Sequence, residues 1–267
     1  LLSDVRSFIK KEILYNKEEK AERLIERSDA TTLKNRELLL RSISHLANAG
    51  TEAAQILILF DNKMILNKKR IILMEKFTAT VSGVRMDTPT VGLVRLKLDR
   101  PIEFSPGQYV LVYLNLNGEK HTKPYSIASP PSEKGFIELC IKHVPEGPVS
   151  GRMVSLRKGE SLELAGPGGI FTLQETIDND IIFAATGTGI SALRPMIETI
   201  FEMGTGRNVY LFFGAKSGDE IVYKKEFELL ATKNRNFHFI PVISREPGYP
   251  GEKGHVQDVI EKYIKSP

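Results

Sequence analysis

The chain has a single cysteine in 267 residues. Cys140 therefore has no disulfide partner within the chain, and no cysteine-ligated iron–sulfur cluster can be built from this chain alone. A reducing, cytoplasmic setting fits that usage. Long apolar runs are missing as well. The longest, ending in Ile56–Phe60, covers about eight residues, whereas a membrane helix needs about 20, so no membrane span is expected. No signal peptide is visible, and the first residue is Leu1 rather than Met, as at a trimmed end. The five histidines fall at no metal-ligand spacing, so no metal is expected. Charge of one sign is scarce too. The net charge is +4, and residues 1–76 hold all of it, with 15 Lys and Arg against 11 Asp and Glu; residues 77–267 carry 22 of each. So dilute a surplus reads as a solvated helical surface and gives no ground for nucleic-acid binding.

What is present is ordinary in bulk, with 41% hydrophobic and 26% charged residues, and the length predicts about two domains. The pattern changes twice along the chain. Residues 1–75 have no proline and read as amphipathic helices. Leu2, Val5, Phe8, Ile9 and Ile13 share one stripe, and Leu39, Ile43 and Leu46 share another, ended near Gly50. Such faces need a partner surface: a packing module, a dimerisation element or a dock for a partner. From Lys76 the period becomes two. Strands are expected at Phe77–Val81, Val91–Leu96, Tyr109–Tyr113, Phe136–Lys142 and Ser161–Leu164. Turns are expected at Asp87-Thr88-Pro89, Ser105-Pro106-Gly107 and Asn117-Gly118. Many short strands with such turns predict an antiparallel β-barrel over 76–174. Over 175–267, apolar strands at Ile181–Ala185, Val209–Phe213 and Phe237–Ile243 alternate with helices near Ser191–Met203, Glu220–Ala231 and Val256–Ile264. That alternation predicts an α/β domain with a parallel sheet.

Two segments carry chemistry. Lys123-Pro124-Tyr125-Ser126 offers a cation, an aromatic ring and a hydroxyl in one strand-like stretch. Alternation places Lys123 and Tyr125 on one face and Ser126 on the other, and Pro124 suits an edge strand. Taken alone the stretch reads equally as an ordinary edge strand. About sixty residues later, Thr186-Gly187-Thr188-Gly189 follows an apolar strand and opens a helix. Such a turn brings a pyrophosphate to free backbone N–H groups. Between them, Gly147-Pro148-Val149-Ser150-Gly151-Arg152 reads as a turn into a short helix with Ser150 as its N-cap.

In order and separation these segments resemble the ferredoxin–NADP reductase superfamily, over roughly residues 77–267. The resemblance implies an NAD(P)H-dependent flavoprotein reductase holding FAD in preference to FMN, and NADP or NAD as second cofactor. Lys123 would contact the flavin phosphate, Tyr125 would stack on the ring, and Ser126 would hydrogen-bond near its N5; Tyr125 and Ser126 are thus the catalytic candidates. Gly147, Val149 and Ser150 would lie beneath the phosphate with Arg152 adding charge, Lys142 would approach the cofactor, and Gly166–Gly169 would join the domains. Thr186, Gly187, Thr188 and Gly189 would take the pyrophosphate. Ser244 and Arg245 would take a 2′-phosphate, a pattern favouring NADPH that NADH-linked relatives also show. Arg194 would contact phosphate or be solvated, and Tyr223 would be adenine-side or core. Lysine at 123 departs from the family's commoner arginine and loses its fork; Ser191-Ala192 departs from the usual Ala-Pro. The electron acceptor implied is a protein such as a ferredoxin or a complex subunit. A non-catalytic electron-transfer subunit and a flavin-free nucleotide-sensing module are the alternatives. The family normally continues with a further strand and a Cys-Gly-Pro-like turn, so the expectation is that the polypeptide continues past Pro267 or that another segment covers the sheet edge.

Overall fold

The computed structural model describes residues 74–173 and 179–263, all inside one compact unit, Ile58–Pro267. The helices expected in residues 1–73 lie outside the described residues, as does Ile264 at the end of the last expected helix.

The first half is a six-stranded antiparallel sheet curled into a barrel. Its strands are β1 (Lys76–Thr88), β2 (Val91–Leu98), β3 (Tyr109–Leu116), β4 (Glu119–Ser126), β5 (Phe136–Lys142) and β6 (Ser161–Gly168), in the order β4-β3-β6-β1-β2-β5. Helix α1 (Pro148–Val154) lies between β5 and β6. The chain beyond β4 closes the gap to β5: Ile127 bridges Leu139, and Ala128 N–H donates to Glu138 O at 2.8 Å. Period-two alternation sends Phe77, Ala79, Val81, Val110, Val112, Ile137, Leu139 and Ile141 into one core. Asn117 and Gly118, with φ of 53° and 87°, make the tight hairpin turn between β3 and β4, because a primed turn matches the strand twist and asparagine and glycine tolerate positive φ.

Two boundaries differ from the sequence expectation. β1 runs through Asp87 and Thr88 to turn only at Pro89-Thr90, because it stays paired with β2 as far as Thr88↔Val91. β6 continues through Gly166-Pro167-Gly168, paired with β3 at Tyr109↔Gly168. The glycine-rich stretch thus belongs largely to the strand end, where the Tyr109 ring packs against Gly168 and Gly169.

The second half is a parallel sheet of β7 (Ile181–Thr186), β8 (Val209–Ala215), β9 (Phe237–Ile243) and β10 (Glu252–Lys253), ordered β10-β9-β8-β7. Its helices are α2 (Ile190–Met203), α3 (Lys224–Lys233) and α4 (Val256–Tyr263). Leu211, Phe212 and Phe213 of β8 are all buried, because helices cover both faces. Leu211 and Phe213 pack with α2, while Phe212 packs with Val256 and Val259 of α4. Among the described residues, β7 pairs only with β8. α3 starts at Lys224, later than expected. A 3₁₀ turn occupies Gly218–Glu220, and Tyr223 holds the left-handed conformation just before the helix.

One apolar cluster runs through both halves. Val91, Leu93, Ala128 and Cys140 of the barrel side pack with Phe183, Leu193, Met196, Phe213 and Phe227. Strand β5 explains this: Ile137, Leu139 and Ile141 face the barrel core, and Cys140 faces the sheet domain. No described helix is long and apolar enough to cross a membrane.

Candidate functional site

Among the described residues β4 is an edge strand paired with β3 alone, a setting in which proline is tolerated. Its register sets Lys123 opposite Val112, Tyr125 opposite Val110 and Ser126 opposite Tyr109. Directly opposed residues share a face, so Lys123 and Tyr125 lie on the Val110–Val112 side and Ser126 on the other. Tyr125 is half-buried and packs against the barrel core, and burial pushes its phenol above the ordinary value. Lys123 is exposed, and among the described residues its ammonium has no acidic partner.

Helix α1 begins at Pro148, with Gly147 as N-cap, not at a Ser150 cap. Proline favours the first helical position, where its missing N–H costs nothing. The Ser150 hydroxyl instead reaches back, accepting from Val144 N–H at 3.1 Å and meeting Gly147 O at 3.1 Å. Gly151 N–H bonds to Gly147 O, as the first intrahelical bond requires. The preceding N–H groups of Val149 and Ser150 are those a helix start leaves over. A Cβ placed on Gly151 would meet nothing within 4 Å, so this surface is open. Arg152 forms an ion pair with Glu160, which holds that carboxyl below its usual range; it is not a spare cation. The Lys142 ammonium donates to Thr90 Oγ1 at 2.6 Å, which turns it toward the β1–β2 turn.

After β7 the chain makes a 3₁₀ turn, Gly187–Gly189, and enters α2. Gly187 has φ of 51°, and neither it nor Gly189 has anything within 4 Å of a would-be Cβ. That is the cradle a phosphate needs to approach backbone amides. The Ser191 hydroxyl donates to Thr188 O at 2.7 Å and fastens the turn. At the same carboxyl end of the parallel sheet, two strands away, Ser244 and Arg245 are exposed just past β9. Their N–H groups donate to Ala215 O at 3.0 Å and Lys216 O at 2.8 Å. They border a cavity of about 150 Å³ with Glu246, Pro247, Lys253 and Gly254. Lys253 Nζ donates to Pro247 O, and Glu246 accepts from Gly218 N–H at 2.7 Å. Among the described residues no group of three or more His, Cys, Asp or Glu side chains is placed to hold a metal.

Arg194 occupies another place than expected, and Tyr223 takes the second of its two expected places. Arg194 is neither solvated nor free for phosphate: it is 7% exposed and paired with Glu226, at 2.5 Å, and with Glu198, at 2.9 Å. Tyr223 is core, its hydroxyl donating to Glu138 Oε1 at 3.0 Å and its N–H to Asp87 Oδ2 at 2.7 Å. Glu138 and Asp87 were not singled out in the sequence. The available signal for Glu138 was a lone acid inside the apolar run Phe136–Ile141. Burial pushes the Glu198 carboxyl up to about 8; Arg194 opposes, and Glu226 and Glu133 add to the rise. Oε2 of Glu198 is buried without a hydrogen-bond partner among the described residues, whereas Oε2 of Glu133 lies 2.8 Å from Arg95 Nη2.

This has a pH consequence. Between the ordinary value of 4.5 and about 8, the folded state holds a proton on Glu198 that the unfolded chain releases, so stability falls as pH rises through that window. Glu198→Gln, which can neither take up nor release that proton, should flatten the decline between pH 5 and pH 8 by at least about 1 kcal/mol. Urea midpoints at the two pH values measure it; an unchanged pH slope refutes it.

Among the described residues, the exposed Lys123, the leftover amides of α1 and the open glycine turn, beside a half-buried ring, are chemically suited to a flavin phosphate and a dinucleotide. Residues 81–173 match the oxidoreductase FAD-binding domain family, and residues 183–267 match the oxidoreductase NAD-binding domain family. A barrel of the first kind followed by a sheet of the second is the architecture of flavin- and nicotinamide-linked oxidoreductases. Ferredoxin–NADP reductase B of Sorangium cellulosum is 31% identical over 186 residues, 68% of this chain and 76% of its own length. The chain belongs to the ferredoxin–NADP reductase superfamily. Phenol hydroxylase P5 protein of Acinetobacter pittii (strain PHEA-2) is 36% identical over 199 residues, covering 73% of this chain and 56% of that protein. The chain thus spans little more than half the length of such relatives. The structure of Amycolatopsis cytochrome P450 reductase GcoB superposes with a TM-score of 0.67 at 27% identity, covering 72% of this chain and 58% of that one.

Proposed function

We propose that this chain is the flavin- and nucleotide-binding part of an NAD(P)H-dependent reductase that feeds electrons to a protein acceptor, a ferredoxin or an oxygenase component. The observation that carries the reading is the pairing of an edge strand bearing Lys123, Tyr125 and Ser126 with an open glycine turn at Gly187–Gly189, which lies against β5 of the same barrel. The division of labour is a barrel over 76–174 and a nucleotide domain over 175–267. Several relatives are named as reductase components of oxygenase systems, among them phenol 2-monooxygenase of Pseudomonas sp. (strain CF600) and naphthalene 1,2-dioxygenase of Pseudomonas putida. That supports an oxygenase-side acceptor. The lone, buried Cys140 fits a reducing, cytoplasmic setting.

When bound, FAD would supply the redox chemistry, hydride acceptance from NAD(P)H (two electrons and one proton, leaving NAD(P)⁺) and onward electron release, with Lys123, Tyr125, Ser126, Val149 and Ser150 as the residues that would hold it. The chain's residues bind and orient. Tyr125 covers one ring face from its seat on the barrel core. Ser126 presents its hydroxyl from the opposite face of β4. Lys123 neutralises phosphate charge, together with the Val149 and Ser150 N–H groups. With the Ser150 hydroxyl spent on Val144, its share is the main-chain donor. The Thr186–Gly189 turn receives the pyrophosphate at the start of α2, and Ser244 and Arg245 flank the place of a 2′-phosphate. Purified protein should be yellow, should release FAD on denaturation, and should oxidise NAD(P)H with an artificial acceptor. Colourless protein that takes up neither FAD nor FMN overturns the reading.

A further inference from the structure

The turn that opens α2 and the strand that carries Tyr125 and Ser126 are tied together by one side chain. Arg194 Nη1 donates to Ala128 O at 2.5 Å, two residues beyond Ser126. Its Nε and Nη2 donate to the two oxygens of Glu226 at 2.5 and 3.1 Å, and Glu198 of its own helix lies at 2.9 Å. The guanidinium sits over the Tyr223 ring, 4.6 Å from its centroid. Tyr223 is in turn bonded to Glu138 and Asp87 of the barrel, and it holds a φ of 58° that few aromatic residues adopt. Three elements thus converge on one buried cation: the end of β4, the second turn of α2 and the start of α3.

Stability alone does not explain such a group. A buried ion pair loses solvation comparable to what it gains, and an apolar replacement is often neutral. The surrounding cluster of Val91, Leu93, Ala128, Cys140, Leu193 and Phe227 already supplies apolar contact, but such contact is non-directional and tolerates sliding. A planar fork with fixed donor directions does not. We propose that Arg194 is a positioning residue that fixes the Thr186–Gly189 turn relative to the Tyr125–Ser126 strand. It thereby sets the reach between coenzyme and flavin in the reaction proposed above, on which this inference rests. A displacement of 1 Å in such a geometry costs up to about 100-fold in rate.

The test uses the full chain as Arg194→Met, Arg194→Lys and Tyr223→Phe, each loaded with FAD and reduced by NADPH and by NADH. Arg194→Met should lower the limiting rate of flavin reduction at least about tenfold while leaving the coenzyme dissociation constant within about threefold, a split that general loosening does not give. Arg194→Lys, which keeps the charge and loses the fork, should fall between. Tyr223→Phe, which removes only one hydroxyl, should lose about two- to fivefold and keeps the test open if Arg194→Met does not fold. Amide exchange on the flavin-free chain is the independent readout. It should rise at residues 187–193 and 127–129 in the Arg194 variants and stay unchanged in β1 and β6. Unchanged limiting rates in Arg194→Lys and Tyr223→Phe, or rate losses matched by equal weakening of coenzyme binding, overturn the inference. If the unmodified chain takes up no flavin, the proposed function fails, and the exchange pattern alone then decides whether Arg194 fixes the joint.

Discussion

Tyr125→Ala lowers flavin affinity by about 5- to 150-fold, the expected result of losing a stacked ring worth about 1–3 kcal/mol. The residue sits at the one place in β4 where a side chain both rests on the barrel core and keeps part of its ring exposed. Tyr125→Phe keeps the ring and should stay within a fewfold of the parent, since no bond to the phenol oxygen is seen among the described residues. Equilibrium dialysis against FAD, read by the ratio of flavin to protein absorbance, measures both. Equal losses in the two variants point to the hydroxyl rather than the ring, and no loss in either removes Tyr125 from the site.

Arg245→Ala should weaken NADPH about 10- to 150-fold and NADH by far less. Losing a charged hydrogen bond costs about 1.5–3 kcal/mol, and only NADPH carries the group that makes it. Arg245 is exposed beyond β9, with its N–H fixed on Lys216 O, so the backbone is held while the side chain is available. Glu246 beside it works the other way. Its carboxylate is anchored on Gly218 N–H and would repel a phosphate, which narrows the preference that Arg245 confers. Titrations with both coenzymes at one ionic strength give the ratio. A ratio unmoved by the substitution shows that the 2′-phosphate does not lie at Arg245.

Much of this molecule was legible in its sequence. Period-two patterning gave the barrel strands because one face of each is buried, and continuous apolar runs gave β7, β8 and β9 because helices cover both faces. The glycine turn was readable because an open phosphate cradle demands small residues at fixed places. What stayed hidden was tertiary. Ser150 looked like a cap because serine favours that position, but Pro148 moved the helix start and Val144 claimed the hydroxyl. Arg152 and Lys142 looked like free cations, and only the fold brings Glu160 and Thr90 to them. Arg194 and Tyr223 could not be assigned from local pattern, since their partners Ala128, Glu138 and Asp87 lie 66, 85 and 136 residues away along the chain. Glu138, an acid within an apolar strand, is the barrel's polar handle on Tyr223 of the sheet domain.

Strand β5 has a side chain layer on each of its two faces, one serving the barrel and the other serving the sheet domain. The two halves of this chain therefore do not behave as beads on a string. A barrel cut away from the sheet would present Val91, Leu93, Ala128 and Cys140 to water, together with an unpaired Glu138. A different nucleotide domain grafted onto this barrel would need groups standing where Arg194 and Tyr223 stand, to meet Ala128, Glu138 and Asp87.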